Sequence, residues 1–215
     1  MLMLGVMFSN DLMKDLMYDG VCMKIGPTYV VPFRRRREFV TNYRKRLAAL
    51  KSGLPRIVVR KSTRSVTVQF VVFQTDGDKV LVSVNSNELK KYGWSPRANL
   101  PTAYLTGMLC ALKAKKLISG KSILDIGLST ATKGSFAFAA LKGVLDSGME
   151  VSHNYEFDEE RIKGTHIATY ASQLKNKQEQ YKRQFGNYLK EGVEPENIVE
   201  IFENVKNKLL QEIKQ

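Results

Sequence analysis

Apolar and polar positions along this chain follow two different periods, and the switches between them mark out its elements. Phe39, Tyr43, Leu47 and Leu50 recur at intervals of four, four and three among Arg, Lys and Asn, which places the apolar residues on one face of a helix. Gly53 and then Pro55 end that pattern in the usual order of helix breakers. The period then shortens to that of a strand. RIVVR (56–60) and SVTVQFVVF (65–73) are rich in β-branched residues and predict two strands, with Lys61 and Ser62 in the turn between them. Asp76-Gly77 supplies a second turn, after which KVLVSV (79–84) returns antiparallel.

A short helical stretch at 87–92 leads into the loop GWSPRANLP. A helix is predicted from about Pro101, where proline suits the first turn, with Leu105, Met108, Leu109 and Leu112 as its face and an end near Gly120. SILDIG (122–127) reads as a buried strand, and the next helix turns Phe136, Ala140, Leu141 and Val144 inward. Strand–helix–strand–helix order after a hairpin predicts an α/β fold, a mixed β-sheet flanked by helices. Beyond Val151 the chain becomes polar and helical, with segments at 161–174 and 178–192. A well-marked helix follows, with Pro195 in its first turn and Ile198, Ile201, Phe202, Val205 and Leu209 as its stripe. This part has no predicted strand and little core of its own, so it reads as an appendage that docks on something else. The expected division is an N-terminal extension (1–22), a basic arm and helix (23–55), an α/β core (56–150) and a helical C-terminal extension (151–215).

Charge sharpens this picture. The 215 residues carry a formal net charge of +13, and their 43% hydrophobic content is enough for a packed core. Thirteen lysines and arginines fall within residues 24–64, against the single acid Glu38. So local an excess is the footprint of a polyanion partner rather than general solubility charge. The two cysteines, Cys22 and Cys110, have no metal-site spacing and imply free thiols in a reducing compartment. No run approaches the roughly 18–20 apolar residues that span a bilayer. Six of the eight methionines lie within the first 23 residues, and Asp11, Asp15 and Asp19 interrupt any signal-peptide pattern there. Leu12, Leu16 and Met17 would share a helical face, and Met23, directly before the strongly patterned region, is the expected start of translation.

Arg34–Arg37 are four adjacent guanidiniums with no run of acids nearby, and Arg44, Lys45, Arg46 and Lys51 continue the charge along the helix. Short basic clusters are also common as solvated runs or localisation signals. Here the planar guanidinium forks match phosphate oxygens, and each contact would release condensed counterions. Tyr43 could stack on a base. RKSTRS (60–65) adds Arg60, Lys61 and Arg64 in a hairpin turn, with the Ser62 and Thr63 hydroxyls suited to phosphate or 2′-OH contacts. Composition alone leaves RNA and DNA equally open.

LDIGLSTATKGS (124–135) is the most enzyme-like stretch, similar to the phosphate turn of sugar kinases and actin-like ATPases. Such an enzyme needs a second phosphate loop and an adenosine pocket. The simpler reading has Asp125 satisfying backbone donors and Lys133 facing outward. No G-x-x-x-x-G-K-[ST] or G-x-S-x-G motif occurs, and no carboxylate cluster suits a metal. Neither catalysis nor a cofactor is expected. The residues so far leave open an RNA- or DNA-binding module and a nucleotide-binding enzyme using residues 125–127.

Four segments taken in order resemble one family: PFRRRRE with TNYRKRLAALKSGLPRIVVRKS, GWSPRANLPTAYLTGMLCALKAKK, ILDIGLSTATKGSFAFAALKGVLDSGMEVSHN, and YKRQFGNYLKEGVEPENIVEIFENVKNKL. It is the universal 5S-rRNA-binding family of the large ribosomal subunit, number eighteen in bacteria and five in eukaryotes. The likeness covers roughly residues 24–214, and the length and C-terminal part look archaeal. Residues 1–22 fall outside it. The resemblance implies a ribonuclease-H-like sheet-and-helix scaffold without nuclease chemistry, in a cytoplasmic ribosome with no membrane contact. It further implies 5S rRNA, 23S rRNA and neighbouring proteins of the central protuberance as partners. By position it carries Arg34, Arg35, Arg36, Arg37, Thr41, Tyr43, Arg44, Arg46, Lys51 and Arg56 onto rRNA. Arg60, Lys61, Ser62, Arg64 and, more weakly, Lys133, Gly134 and Ser135 join them. The C-terminal helices would meet 23S rRNA and neighbouring proteins.

Overall fold

The computed structural model describes residues 29–212 apart from Ser119. The expectations for residues 1–22, for Met23 and for Cys22 lie outside these residues. The chain divides into two compact units between Tyr43 and Arg44.

In the first unit, helix α1 (Arg34–Arg37) is a single turn. Its C-terminus closes with Val40 N–H donating to Arg35 O at 3.0 Å and Phe39 N–H donating to Arg36 O at 3.1 Å. This paired closure needs a left-handed residue after the cap, a place usually filled by glycine. Phe39 takes it with φ 52°. The apolar spacing therefore does not run through one helix from Phe39. The break at Phe39 separates α1 from α2 (Tyr43–Lys51).

In the second unit, β1 (Arg56–Lys61), β2 (Val66–Gln74) and β3 (Gly77–Asn85) form an antiparallel meander, and β4 (Ile123–Asp125) adds parallel to β1. The order is β3-β2-β1-β4, the mixed sheet expected. Ile57, Val59, Val66, Val68, Phe70 and Val84 share one face and are buried. Helix α3 (Leu100–Ala114) lies on that face, with Cys110 Sγ 3.3 Å from Val68 O. Asn99 caps α3 by accepting from Thr102 N–H at 3.1 Å.

The expected apolar face of α3 proved too narrow. Residues 101–111 are all buried, because helix α4 (Phe136–Asp146) and the C-terminal helices cover the sides that the sheet leaves open. Its regular helix also stops at Ala114, short of the expected Gly120. Two glycines let α3 and α4 approach. A Cβ on Gly107 would stand 2.9 Å from the Ala140 carbonyl carbon, and one on Gly143 would stand 2.9 Å from Met108 N.

The C-terminal part comprises α5 (Glu159–Lys163), α6 (Thr165–Leu174), α7 (Gln178–Lys190) and α8 (Ile198–Glu212). What it docks on is the α/β core of this same chain. Ile198, Phe202, Val205 and Leu209 are buried, and the Phe202 ring meets Trp94 at 6.2 Å and Tyr104 at 5.3 Å. Tyr104 Oη donates to Asp146 at 2.7 Å, and Trp94 Nε1 donates to Thr102 at 2.9 Å, so the polar tips of these buried rings are satisfied.

Gly107→Ala or Gly143→Ala must push α3 and α4 apart against backbone atoms that cannot swing away. Each should lower unfolding free energy by at least the ~1–3 kcal/mol typical of overpacking, read from the urea midpoint of the full chain. Wild-type midpoints for both would show that the helices separate freely.

Candidate nucleic-acid interface

All four arginines of α1 are exposed. Arg34 Nε donates to Glu38 at 2.7 Å and Arg35 Nε donates to Thr41 Oγ1 at 2.8 Å, while Arg36 and Arg37 pair with no acid among the described residues. The Arg34–Glu38 pair is largely in water and holds its partners only weakly. Phe33 and Tyr43 bring their rings to 6.3 Å, and both remain exposed.

In the second unit the apolar stripe of α2 is not core. No residue of α2 is buried, and Leu47 is 56% exposed. Arg44 and Lys51 are exposed on the same helix. Arg46 takes another course: its Nη2 lies 2.8 Å from Asp78 Oδ2, tying α2 to the outer face of the sheet. The same Asp78 oxygen is 2.7 Å from Nη2 of Arg56, whose Nη1 reaches Asp125 at 3.1 Å. The pairing places Arg56 and Asp125 on one face, two residues apart in register. The Arg56 side chain is only 3% exposed. A guanidinium so far from water requires paired carboxylates, and it has two.

Arg56 is thus committed within the protein, and Arg46 is shared between Asp78 and the surface. Burial raises the Asp78 carboxyl, but hydrogen bonds from Arg56 and Arg46, with their charges, outweigh it and hold its pKa below the ordinary 3.8. No sequence signal marked Asp78 for this role. It lies near the start of β3, 32 residues from Arg46 and 22 from Arg56, and only the sheet register joins them. Asp125 also accepts from Gly127 N–H at 2.9 Å, in keeping with the non-catalytic reading of its loop.

Two sequence-predicted groups meet at one end of the sheet. Arg60, Lys61 and Arg64 project from the β1–β2 hairpin and are exposed. Ser62 is exposed, but its Oγ organises the turn, accepting from Ser65 N–H at 3.2 Å and lying 3.0 Å from Ser65 Oγ. Lys61 Nζ lies 5.7 Å from the centre of the Phe136 ring, directly after the Lys133–Gly134–Ser135 segment. Lys133 is exposed. Gly134 has φ 71°, and its N–H donates to Tyr155 Oη. Ser135 caps α4 by position and makes no side-chain cap bond.

Among the described residues no group of three or more His, Cys, Asp or Glu could hold a metal, and no helix is long and apolar enough to cross a membrane. Cys110 is free and buried, its thiol pushed up to about 12 by burial, which makes it inert. The exposed cations on this α/β scaffold have the charge of a polyanion-binding surface. The chain matches the family of ribosomal large subunit proteins 60S L5 and 50S L18 over residues 27–122 and 115–154. It is 48% identical over 191 residues to the large ribosomal subunit protein uL18 of Methanococcus maripaludis, spanning 87% of this chain and 99% of that one. It is 52% identical over 180 residues to the protein of the same name from Korarchaeum cryptofilum, spanning 82% and 92%. This chain belongs to that ribosomal protein family, whose members are structural proteins and not enzymes.

Asp78→Asn should destabilise the fold by about 1–3 kcal/mol, less than the loss of a wholly buried pair because Asp78 is partly solvated and Asp125 still holds Arg56. A carboxylate with a depressed folded pKa contributes above its unfolded pKa, and that contribution fades as pH falls through the folded value. The stability gap between wild type and Asp78→Asn should therefore be full at neutral pH and close below 3.8. Urea titrations at several pH values read this directly; a gap that ignores pH would remove the ionic account.

Proposed function

We propose that this chain is a structural component of the large ribosomal subunit that binds 5S rRNA and helps attach it to 23S rRNA in the central protuberance. The observation that carries the reading is the exposed positive charge of Arg34–Arg37, Arg44, Lys51, Arg60, Lys61 and Arg64 in a member of this family. Neighbouring large-subunit proteins complete its surroundings.

The mechanism is recognition without chemistry. Folded rRNA presents phosphates, 2′-hydroxyls and a few splayed bases, and single-stranded or distorted elements admit side chains that a regular duplex excludes. The proposed contacts are Arg34, Arg35, Arg36, Arg37, Thr41 and Tyr43 in the arm, with Arg44 and Lys51 on α2. Arg60, Lys61, Arg64, Lys133, Gly134 and Ser135 serve at the sheet end, where Ser62 shapes the turn that presents them. Arg56 is left to hold the sheet, and Arg46 to seat α2. In this reading residues 23–55 are the basic arm and helix, 56–150 the rRNA-binding core and 151–215 the helical extension. Displacing counterions from RNA offsets the ordering of the arm on binding.

The full chain should bind 5S rRNA in the presence of excess tRNA. Replacing Arg34–Arg37 by Ala should weaken binding and reduce the slope of log affinity against log salt by roughly 0.7–0.9 for each phosphate released. Gel-shift titrations at several salt concentrations measure both. Removal of wild-type binding by tRNA would leave only a generic basic surface, and an unchanged slope would show that these arginines touch no phosphate.

A further inference from the structure

Between Val151 and helix α5 the chain runs through SHNYEFD (152–158) with no regular secondary structure, yet Tyr155 and Phe157 of this stretch are half-buried. They lie along the first turns of α4. The Tyr155 ring stacks on Phe138, with centres 4.1 Å apart and planes 8° from parallel, and Phe157 packs edge-on to Tyr155 at 5.3 Å. Lys142 Nζ, one helical turn beyond Phe138, lies 5.6 Å from the centre of the Phe157 ring. The stretch is therefore a strap across the face of α4 that carries Phe138 and Lys142.

Where the strap passes the start of α4, the Tyr155 hydroxyl accepts the Gly134 N–H. Among the described residues the other hydrogen bonds of the preceding turn are short-range. Gly127 N–H donates to Asp125 at 2.9 Å, Ser129 N–H to Ile126 O at 3.1 Å, Thr132 N–H to Thr130 O at 3.0 Å and Ser135 N–H to Thr132 O at 3.2 Å. Bonds of this range shape a loop without fixing it to its surroundings. Ser135 adds no side-chain cap bond. Gly134 has φ 71°, and a Cβ there would stand 3.3 Å from Arg161 Nη1, so α5 also borders the turn. Lys133, just before it, is exposed.

We infer that Tyr155 is a positioning residue for rRNA recognition: its hydroxyl holds the Lys133–Ser135 turn so that the Lys133 amine meets a phosphate of 5S rRNA. The inference rests on the rRNA-binding reading above, and Tyr155 itself touches no RNA in it. Because the phenol already takes the Gly134 N–H, the turn offers RNA the lysine charge rather than that backbone donor. Lysine is a point charge on a flexible stem. Fixing the backbone beneath it before binding leaves less ordering to be done on association, which raises affinity without adding a contact. The turn runs directly into Phe136, against which Lys61 lies, so a fixed Lys133 acts beside the hairpin cations.

The test uses the full chain and 5S rRNA. Tyr155→Phe keeps a ring on Phe138 and removes the acceptor. Its melting temperature should fall by no more than about 2–4 °C, the scale of one hydrogen bond in a chain of this size. Protection of the Gly134 amide from hydrogen exchange should drop in the free protein. Lys133→Ala should weaken binding several-fold and lower the salt slope by about 0.7–0.9, for one phosphate. Tyr155→Phe should weaken binding by a smaller factor and add nothing once Lys133 is replaced, a dependence that the double-mutant cycle reads. Equal losses from Tyr155→Phe with and without Lys133, or no loss in either background, would overturn the inference and leave Tyr155 as packing for α4. A wild-type slope in Lys133→Ala, or unchanged exchange at Gly134 in Tyr155→Phe, would overturn it too. If the wild-type chain fails to bind 5S rRNA, the proposed function falls and takes the inference with it, an outcome distinct from wild-type binding with a failed cycle.

Discussion

The distance between α3 and α4 is set where their backbones touch at Gly107 and Gly143, and the remaining elements take their places from that crossing. Because each glycine faces backbone of the other helix, the two helices pack without side chains between them. Close packing of this kind leaves no slack for an added methyl group, since protein interiors are already near crystal density. The approach allows α3 to be wrapped on all sides, by the sheet, by α4 and by the C-terminal helices. Phe202 of α8 then reaches Tyr104 on α3, and the start of α4 falls beside the β1–β2 hairpin, where Lys61 covers Phe136.

Charge is sorted by the same fold. Residues 65–149 contain five acids, and four of them are taken up internally. Asp78 and Asp125 hold Arg56, Glu88 holds Lys113 at 2.5 Å, and Asp146 accepts from Tyr104 while pairing with Lys142 at 3.2 Å. Burying one arginine thus consumes two carboxylates that would otherwise offset exposed cations. The outward field is more positive than composition alone conveys, and a field of that sign favours encounter with a polyanion. In the proposed function, RNA would supply the negative charge that the exposed arginines lack.

Much of this was legible in the chain. The meander of β1, β2 and β3 followed from β-branched runs and the Asp76-Gly77 turn, because strand pairing there is local. The basic segment was visible because its charge is contiguous in sequence. The broken helix at Phe39 was not, since a phenylalanine in a left-handed position gives no warning in a pattern that suits a continuous helix. Nor was the exposure of the α2 stripe, which has the same spacing as a buried one.

Among the candidate contacts, sequence treated Arg46, Arg56 and Arg60 alike, and the structure separated them. Arg60 is exposed, Arg56 is enclosed by Asp78 and Asp125, and Arg46 bridges helix and sheet. Gly186 in α7 differs from Gly107 and Gly143 in the same way, by what lies opposite each. By itself the sequence determined the local elements, the sign and position of the charge and the family, because these depend on residues near one another along the chain. Only the tertiary structure decided which cations face solvent, which carboxylates are already engaged and which glycines answer to an internal neighbour. Those properties depend on residues tens of positions apart coming together, and spacing along the chain carries no record of that.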